Sequence, residues 1–141
     1  MTEIAATVFD AVGGEEFFVQ LVDRFYDSVA GDVDFLRFYP EPNDLTGARW
    51  RLSKFLVQYW GGPTTYSDER GHPRLRMRHN PYVINEAARD RWMHHMMGAV
   101  ASAECADNIK AQLTEYFERA AEHMINAQPP SSRDLTWRLT E

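Results

Sequence analysis

The stretch from Val57 to Ile84 contains the residues of this chain that are best suited to chemistry. It reads VQYWGGPTTYSDERGHPRLRMRHNPYVI, which combines aromatic rings with four arginines and two of the five histidines of the chain. A histidine can bind a metal when it offers a neutral imidazole nitrogen, a fixed ring orientation and an adjacent pocket. His79 follows the arginines and lies between Met77 and an apolar run. We therefore expect this stretch to form one wall of a cofactor pocket, with His79 as its metal ligand.

The arginines of this stretch allow three interpretations. They are Arg70, Arg74, Arg76 and Arg78. They could form a solvated loop, a patch for phosphate or RNA, or a clamp for an anionic cofactor. The planar guanidinium suits a carboxylate because it donates two hydrogen bonds at once. A neighbouring ligand histidine favours the clamp, but spacing alone leaves a solvated loop, and a purely structural His79, open.

Three aromatic residues on otherwise apolar segments could donate hydrogen bonds inside a pocket. Tyr26 and Tyr39 offer hydroxyl groups, and Trp92 offers an indole N–H. Buried phenols and indoles usually find a hydrogen-bond partner. Each could equally be an ordinary core aromatic bonded to the backbone, so their function depends on whether they converge.

Other kinds of catalytic site lack their motifs. The chain has no His-Glu-x-x-His zinc motif, no nucleotide-binding loop and no nucleophile elbow. Cys105 is the only cysteine, so we expect it to be a packing residue in a reducing compartment. His94 and His95 are neighbours on a predicted helix and therefore point in different directions.

Composition sets the class of protein. A chain of 141 residues fits one domain and can bury about two-thirds of the surface that its unfolded form exposes. Hydrophobic residues make up 44% and aromatic residues 13%, which argues against disorder. A formal charge of −6 argues against a general nucleic-acid binder. No apolar run reaches the length of a membrane span, so we expect a cytoplasmic protein.

Apolar residues recur at intervals of three and four, which predicts an all-α fold with four amphipathic helices. We expect them from Glu15 to near Gly31, from a cap at Asp44 to Gly61, from a cap at Asn85 to about Val100, and from Ile109 to Ile125. A short helical turn over Val8–Val12 precedes them and ends at two glycines. Residues 61–84 then form an irregular connection, and long connections of this kind tend to be functional.

Several blocks of the sequence, in this order and spacing, resemble the group II truncated haemoglobins. The blocks are Ala11-Val12-Gly13-Gly14, Arg24-Phe25-Tyr26, Tyr39-Pro40, the run FLVQYWGGP from Phe55 to Pro63, the run GHPRLRMRH from Gly71 to His79, and Trp92. The two long runs are highly specific, whereas the glycine pair alone is weak. The resemblance covers residues 8–126 and implies a shortened globin fold, a sandwich of two helices over two that encloses haem.

The resemblance also implies roles for individual residues. His79 takes the position of the proximal iron ligand, and the distal donors are Tyr26, Tyr39 and Trp92. Ala48 and Leu52 take the distal helix positions nearest the bound gas, with Ala48 where many globins have a histidine. The implied neighbours of the haem are Phe55, Tyr66, Arg76, Met77 and Ile84, with Tyr66 and Arg76 near the propionates.

The implied function is reversible binding of O₂, and of CO and NO, at haem b, with slow release because three donors stabilise the ligand. The first interpretation is an oxygen-binding, carrier-type haem protein, although slow release suits chemistry or sensing better than bulk oxygen delivery. The alternatives are a redox enzyme that acts on peroxide or NO with an electron-donating reductase, and a cofactor-free helical interaction module. A homodimer is left open. Residues 1–7 are an N-terminal extension, and residues 127–141 are expected to be a mobile tail.

Overall fold

The computed structural model describes residues 7–39, 41–72 and 83–126, and all regular secondary structure in them is helical, which confirms the predicted all-α class. The helices are α1 (Val8–Ala11), α2 (Glu15–Ala30), a 3₁₀ helix (Phe35–Phe38), α3 (Thr46–Tyr59), α4 (Thr65–Arg70), α5 (Glu86–Ser102) and α6 (Asp107–Met124). Within these residues, no helix combines the length and the apolar character that crossing a membrane requires.

Helix α2 occupies the centre of the fold because it packs against both α3 and α5, and α5 in turn packs against α6. Its stripe of fully buried side chains has the predicted spacing: Phe18, Leu21, Val22, Phe25 and Val29. Burying each large apolar side chain contributes roughly 1.5–3 kcal/mol before the entropic cost of ordering it. This stripe therefore fixes α3 and α5, which carry the predicted site residues Ala48, Leu52, Phe55 and Trp92.

The glycine pair of the YWGGP run allows α1 to pack closely against the end of α3. The Phe9 N–H donates to the Trp60 carbonyl at 3.0 Å. A Cβ added at Gly62 would lie 2.7 Å from the Phe9 ring, and one at Gly61 would lie 2.5 Å from Thr7, at a φ of +108°. Only glycine fits both positions, which explains the composition of this run.

Helix α4 corrects one prediction, because it lies inside the segment 61–84 that was expected to be irregular throughout. Its six residues, TYSDER, lack an amphipathic stripe, so periodicity did not reveal it. Tertiary contacts support it. The Gln58 side chain accepts from the Ser67 N–H at 2.9 Å and donates to the Ser67 hydroxyl at 2.7 Å, while Tyr66 is buried.

Of the two predicted helix caps, Asn85 is confirmed, whereas Asp44 lies one residue before the observed cap. Asn85 caps α5 as predicted, since its side chain accepts from the Ala88 N–H at 2.9 Å. Asp44 lies one residue before the cap of α3, and its carboxylate accepts from the Thr46 N–H at 3.0 Å. Both side chains therefore satisfy an N–H group at the start of a helix.

A hydrogen-bonded group of side chains joins α2 to α5. The His95 Nε2 lies 2.8 Å from an Asp32 carboxylate oxygen, and the His95 Nδ1 lies 2.6 Å from the Ser28 hydroxyl. Arg91 also donates to Asp32, from its Nε at 3.0 Å. Burial of the Asp32 carboxyl favours a higher pKa, but the bonds from Arg91, His95 and the Phe35 N–H outweigh it and lower the pKa to about 2.

The low pKa of Asp32 predicts how stability responds to acid. An Asp whose pKa is depressed in the folded state stabilises that state above its ordinary pKa, 3.8, and loses this contribution as the pH falls towards 2. We expect Asp32→Asn to lower the free energy of unfolding by roughly 1–2 kcal/mol at pH 7. The difference from the wild type should shrink below about pH 4.

Urea titrations at several pH values measure this dependence. The exposed neighbour Asp34 provides the control, because Asp34→Asn leaves the Asp32 bonds in place. A wild-type and Asp32→Asn difference that is the same at pH 7 and pH 3 would contradict the account.

Candidate functional site

Two tyrosines that are remote in sequence meet at one end of α2. Tyr26 lies on the last turns of α2 and is 5% exposed, and Tyr39 follows the 3₁₀ helix. Their ring centroids are 5.6 Å apart in an edge-on arrangement, and a hydrogen-bonding interaction between their hydroxyls contributes to the pKa shift of each. The structure therefore brings together two of the three predicted donors.

The pKa shifts of this pair show that both hydroxyls keep their protons at pH 7. Burial raises the pKa of Tyr26 to about 12, although the bond to Tyr39 and the charges of Arg51 and Arg49 oppose the rise. Burial, the charge of Tyr26 and the same bond together raise the pKa of Tyr39 well above its ordinary value. Both hydroxyls are therefore neutral at pH 7, and each can donate a hydrogen bond.

Helix α3 forms the wall opposite these tyrosines. Ala48 and Phe55 are buried and Leu52 is half-buried, at positions that share one face of the helix. Arg49 fixes α3 on α2, since it donates to Asp23 and Asp27 and its guanidinium lies 5.8 Å from the Tyr26 ring. Sequence reasoning missed this residue because its partners are on another helix.

Helix α5 brings the third predicted donor, Trp92, into the same aromatic cluster. Its ring lies 5.3 Å from the ring of Phe25 and 5.7 Å from that of Phe117. Phe25 also contacts Tyr26, at 4.8 Å. Trp92 and Tyr26 therefore both contact one fully buried phenylalanine, Phe25.

Two further predicted residues lie at the other end of α3 and at the entrance to α5. Tyr66 is buried edge-on against Phe55, with ring centroids 5.8 Å apart. Ile84 is also buried, and Asn126 holds its backbone from both sides. The Ile84 N–H donates to the Asn126 side chain at 2.8 Å, and the Ile84 carbonyl accepts from the Asn126 N–H at 2.9 Å. Asn126 was not predicted, because nothing in its local sequence marks it.

Three predicted residues, His79, Arg76 and Met77, lie outside the described residues, so their roles stay predictions. Among the other residues, the hydrogen-bonded group of Ser28, Asp32, Arg91 and His95 was not predicted as a unit. The sequence does contain a pattern that could have indicated this group. Ser28 lies four residues before Asp32, and Arg91 lies four residues before His95.

A cavity of about 200 Å³ opens beside the tyrosines and reaches Tyr39 and Ala48. Its remaining lining residues are Glu41, Asp44, Leu45 and Arg51. A larger cavity, of about 730 Å³, lies between α5 and α6 and contains none of the predicted site residues. Charged side chains dominate its lining, including the ion pair of Arg89 and Glu122. The smaller cavity is therefore the one related to the site.

The described part of the site fits one face of a haem. Leu52, Trp92 and Tyr39 pack against the core yet stay only partly buried, so the site presents an apolar and aromatic surface. An apolar planar group needs such a surface, and its iron-bound ligand needs uncharged donors like the two phenols. Both features are present among the described residues.

Comparisons with known proteins agree with this geometry. The bacterial-like globin family model matches residues 7–126. Group 2 truncated hemoglobin YjbI of Bacillus subtilis (strain 168) is 37% identical over 125 residues, which cover 89% of this chain and 92% of that protein. A thermostable hemoglobin from Thermobifida fusca is 52% identical with a TM-score of 0.83, over 86% of this chain and 98% of that one. The group II truncated hemoglobin from Bacillus anthracis is 35% identical with a TM-score of 0.81, over 88% and 99%.

The bond between Tyr39 and Tyr26 predicts a strongly non-additive pair of substitutions. Tyr26→Phe and Tyr39→Phe each remove one hydroxyl and leave the other without its partner, so we expect each to lower the free energy of unfolding by about 1–3 kcal/mol. The double variant should cost less than the two losses added together, by about 0.5 kcal/mol or more.

Urea denaturation of the four proteins gives the coupling energy directly. Tyr116→Phe combined with Tyr26→Phe is the control pair, because Tyr116 packs against Tyr59 and Trp60 rather than Tyr26. Additive losses for Tyr26 and Tyr39 would show that the two hydroxyls are not bonded to each other.

Proposed function

Because the chain belongs to the group II truncated haemoglobins and is a haem-binding globin, we propose that it reversibly binds O₂ at a histidine-ligated haem iron. We propose that CO and NO bind at the same position. When bound, haem supplies a ferrous iron that coordinates diatomic gases. The chain's own residues then determine how the ligand is held and how fast it leaves.

One observation carries this proposal: two neutral phenols, Tyr26 and Tyr39, meet edge-on beside a cavity that Tyr39 and Ala48 line. Each phenol has a single hydrogen to donate. A bond between the two hydroxyls uses only one of these hydrogens, so the other is left for a third group, and we propose that Tyr26 supplies it. A ligand oxygen that gains electron density on binding is such a group.

The surroundings of Tyr26 keep its hydroxyl protonated and its ring in place. Burial raises its pKa to about 12, so the hydroxyl keeps its proton throughout the physiological range. Phe25 packs against its ring, and Arg49 holds α3 in place beside it. A donor fixed in advance and shielded from water stabilises a developing charge without reorganising. Trp92, whose ring also contacts Phe25, is the proposed second donor.

His79 is the proposed axial ligand, on the strength of the family assignment and of how the chain is anchored after it. The clamp between Ile84 and Asn126 fixes the backbone five residues beyond His79, next to the start of α5. A ligand histidine must present a fixed ring orientation. Arg76 and Tyr66 are proposed at the propionates, with Met77, Phe55 and Ile84 as apolar neighbours.

Haem b is the form we propose, because covalent attachment in c-type proteins uses a Cys-x-x-Cys-His motif. Cys105 is the only cysteine of this chain, and it is followed by Ala106 and Asp107. The porphyrin would therefore be held by axial ligation, packing and the propionate contacts alone. Because O₂ binds to ferrous iron, an electron-donating reductase is the partner that we propose.

The axial assignment predicts the behaviour of His79→Gly. The wild type should bind one haem per chain and show a Soret band. The variant should lose haem faster, because the bond from the imidazole to the iron is gone, and added imidazole should restore the wild-type spectrum. Haem transfer to a scavenging globin and absorption spectra measure both effects.

His72→Gly is the matched control for this variant, since His72 is exposed in a turn of the same segment. It should retain haem like the wild type. An unchanged spectrum and haem-loss rate in His79→Gly would mean that another residue binds the iron.

The donor role of Trp92 predicts faster O₂ release from Trp92→Phe. Losing one hydrogen bond of about 0.5–1.5 kcal/mol corresponds to a roughly twofold to tenfold faster dissociation. Trp60→Phe is the control, because the Trp60 indole N–H is buried without a partner among the described residues. Stopped-flow measurement of O₂ dissociation compares the two, and equal rates in all three proteins would remove Trp92 from the set of donors.

A further inference from the structure

His95 lies behind the distal donors rather than among them. It is 6% exposed, and its ring packs between two buried phenylalanines from different elements. The ring of Phe25, on α2, is 6.4 Å away in an edge-on arrangement, and the ring of Phe35, in the 3₁₀ helix, is 5.5 Å away. One imidazole therefore contacts both of the elements that carry the tyrosines.

Each of these phenylalanines contacts a proposed donor. Phe25 lies 4.8 Å from Tyr26 and 5.3 Å from Trp92, and Phe35 lies 6.1 Å from Tyr39. In a closely packed interior, a displaced ring forces its neighbours to move. A displacement of the His95 ring would therefore reach each of the three donors through one intervening side chain, either Phe25 or Phe35.

Hydrogen bonds at both nitrogens fix the His95 ring. In the neutral imidazole, the Nε2–H donates to Asp32 at 2.8 Å, and Nδ1 accepts from the Ser28 hydroxyl at 2.6 Å. Asp32 is itself held, since it accepts from Arg91 at 3.0 Å and from the Phe35 N–H at 3.2 Å. The ring can neither rotate nor tilt without breaking one of these bonds.

We propose that His95, held by Ser28 and Asp32, is the positioning residue that sets the geometry of Tyr26, Tyr39 and Trp92 towards the haem ligand. This inference rests on the proposed function, since the donors have a role only when a ligand is bound. His95 acts through Phe25 and Phe35, and it touches neither the ligand nor the cofactor. Small displacements of donors are costly because hydrogen-bond energy falls steeply with angle and distance.

Substitution of Ser28 is the mildest test, because Ser28 is exposed and Ser28→Ala removes only the hydrogen bond to the His95 Nδ1. We expect O₂ to dissociate from Ser28→Ala about twofold to fivefold faster than from the wild type. The C–O stretch of the carbon monoxide complex should move to higher frequency, since weaker donation to the ligand strengthens the C–O bond. Ser28→Thr keeps the hydroxyl and should restore both values.

A second pair of variants addresses the ring itself. His95→Phe keeps an aromatic ring and removes both bonds, so it should shift the C–O stretch in the same direction and further than Ser28→Ala does. His123→Phe changes the same residue type at an exposed position of α6 and should leave the stretch unchanged.

The inference can also be judged without haem. The ¹³C chemical shifts of the Tyr26 and Tyr39 rings should change in the haem-free Ser28→Ala protein and return in Ser28→Thr. If these shifts and the C–O stretch both stay at wild-type values while thermal stability falls, Ser28 and His95 only join the helices, and the positioning role is wrong. A wild type without a Soret band would instead contradict the proposed function, and the haem-free shifts would then decide this inference alone.

Discussion

The contact between Tyr26 and Tyr39 is the interaction on which the proposed function depends. Two neutral phenols side by side can bond to each other with one hydrogen and keep the other for a ligand. The rest of the described structure can be understood as support for it. Helix α2 presents Tyr26, the 3₁₀ helix delivers Tyr39, and α3 closes the site while the Arg49 ion pairs hold it against α2. Buried neutral donors of this kind stabilise a polar ligand because they are already oriented.

The four main helices could be predicted from the sequence because each must bury an apolar face, and that requirement leaves a period in the sequence. The cap at Asn85 and the glycines before α2 were visible for the same kind of local reason. Helix α4 was not visible, since six residues without an apolar stripe give no period. It depends on Gln58, which lies on another helix and contributes both of its hydrogen bonds to Ser67.

The site could be predicted only in part. Tyr26, Tyr39 and Trp92 were expected from their resemblance to a family pattern, and physical reasoning about each residue alone left an ordinary core role open. The structure places the two tyrosines in contact and joins Tyr26 to Trp92 through Phe25. The contacts of Arg49, His95 and Asn126 could not be predicted, because their partners lie far away in the sequence and only the fold brings them together.

A crystal structure of the carbon monoxide complex would test the central claim most directly. The account predicts that the Tyr26 hydroxyl oxygen lies within about 3 Å of the ligand oxygen, with Tyr39 still bonded to Tyr26 and His79 on the opposite face of the haem. A ligand whose oxygen contacts no phenol, or a Tyr26 hydroxyl that has turned away to another protein group, would contradict it.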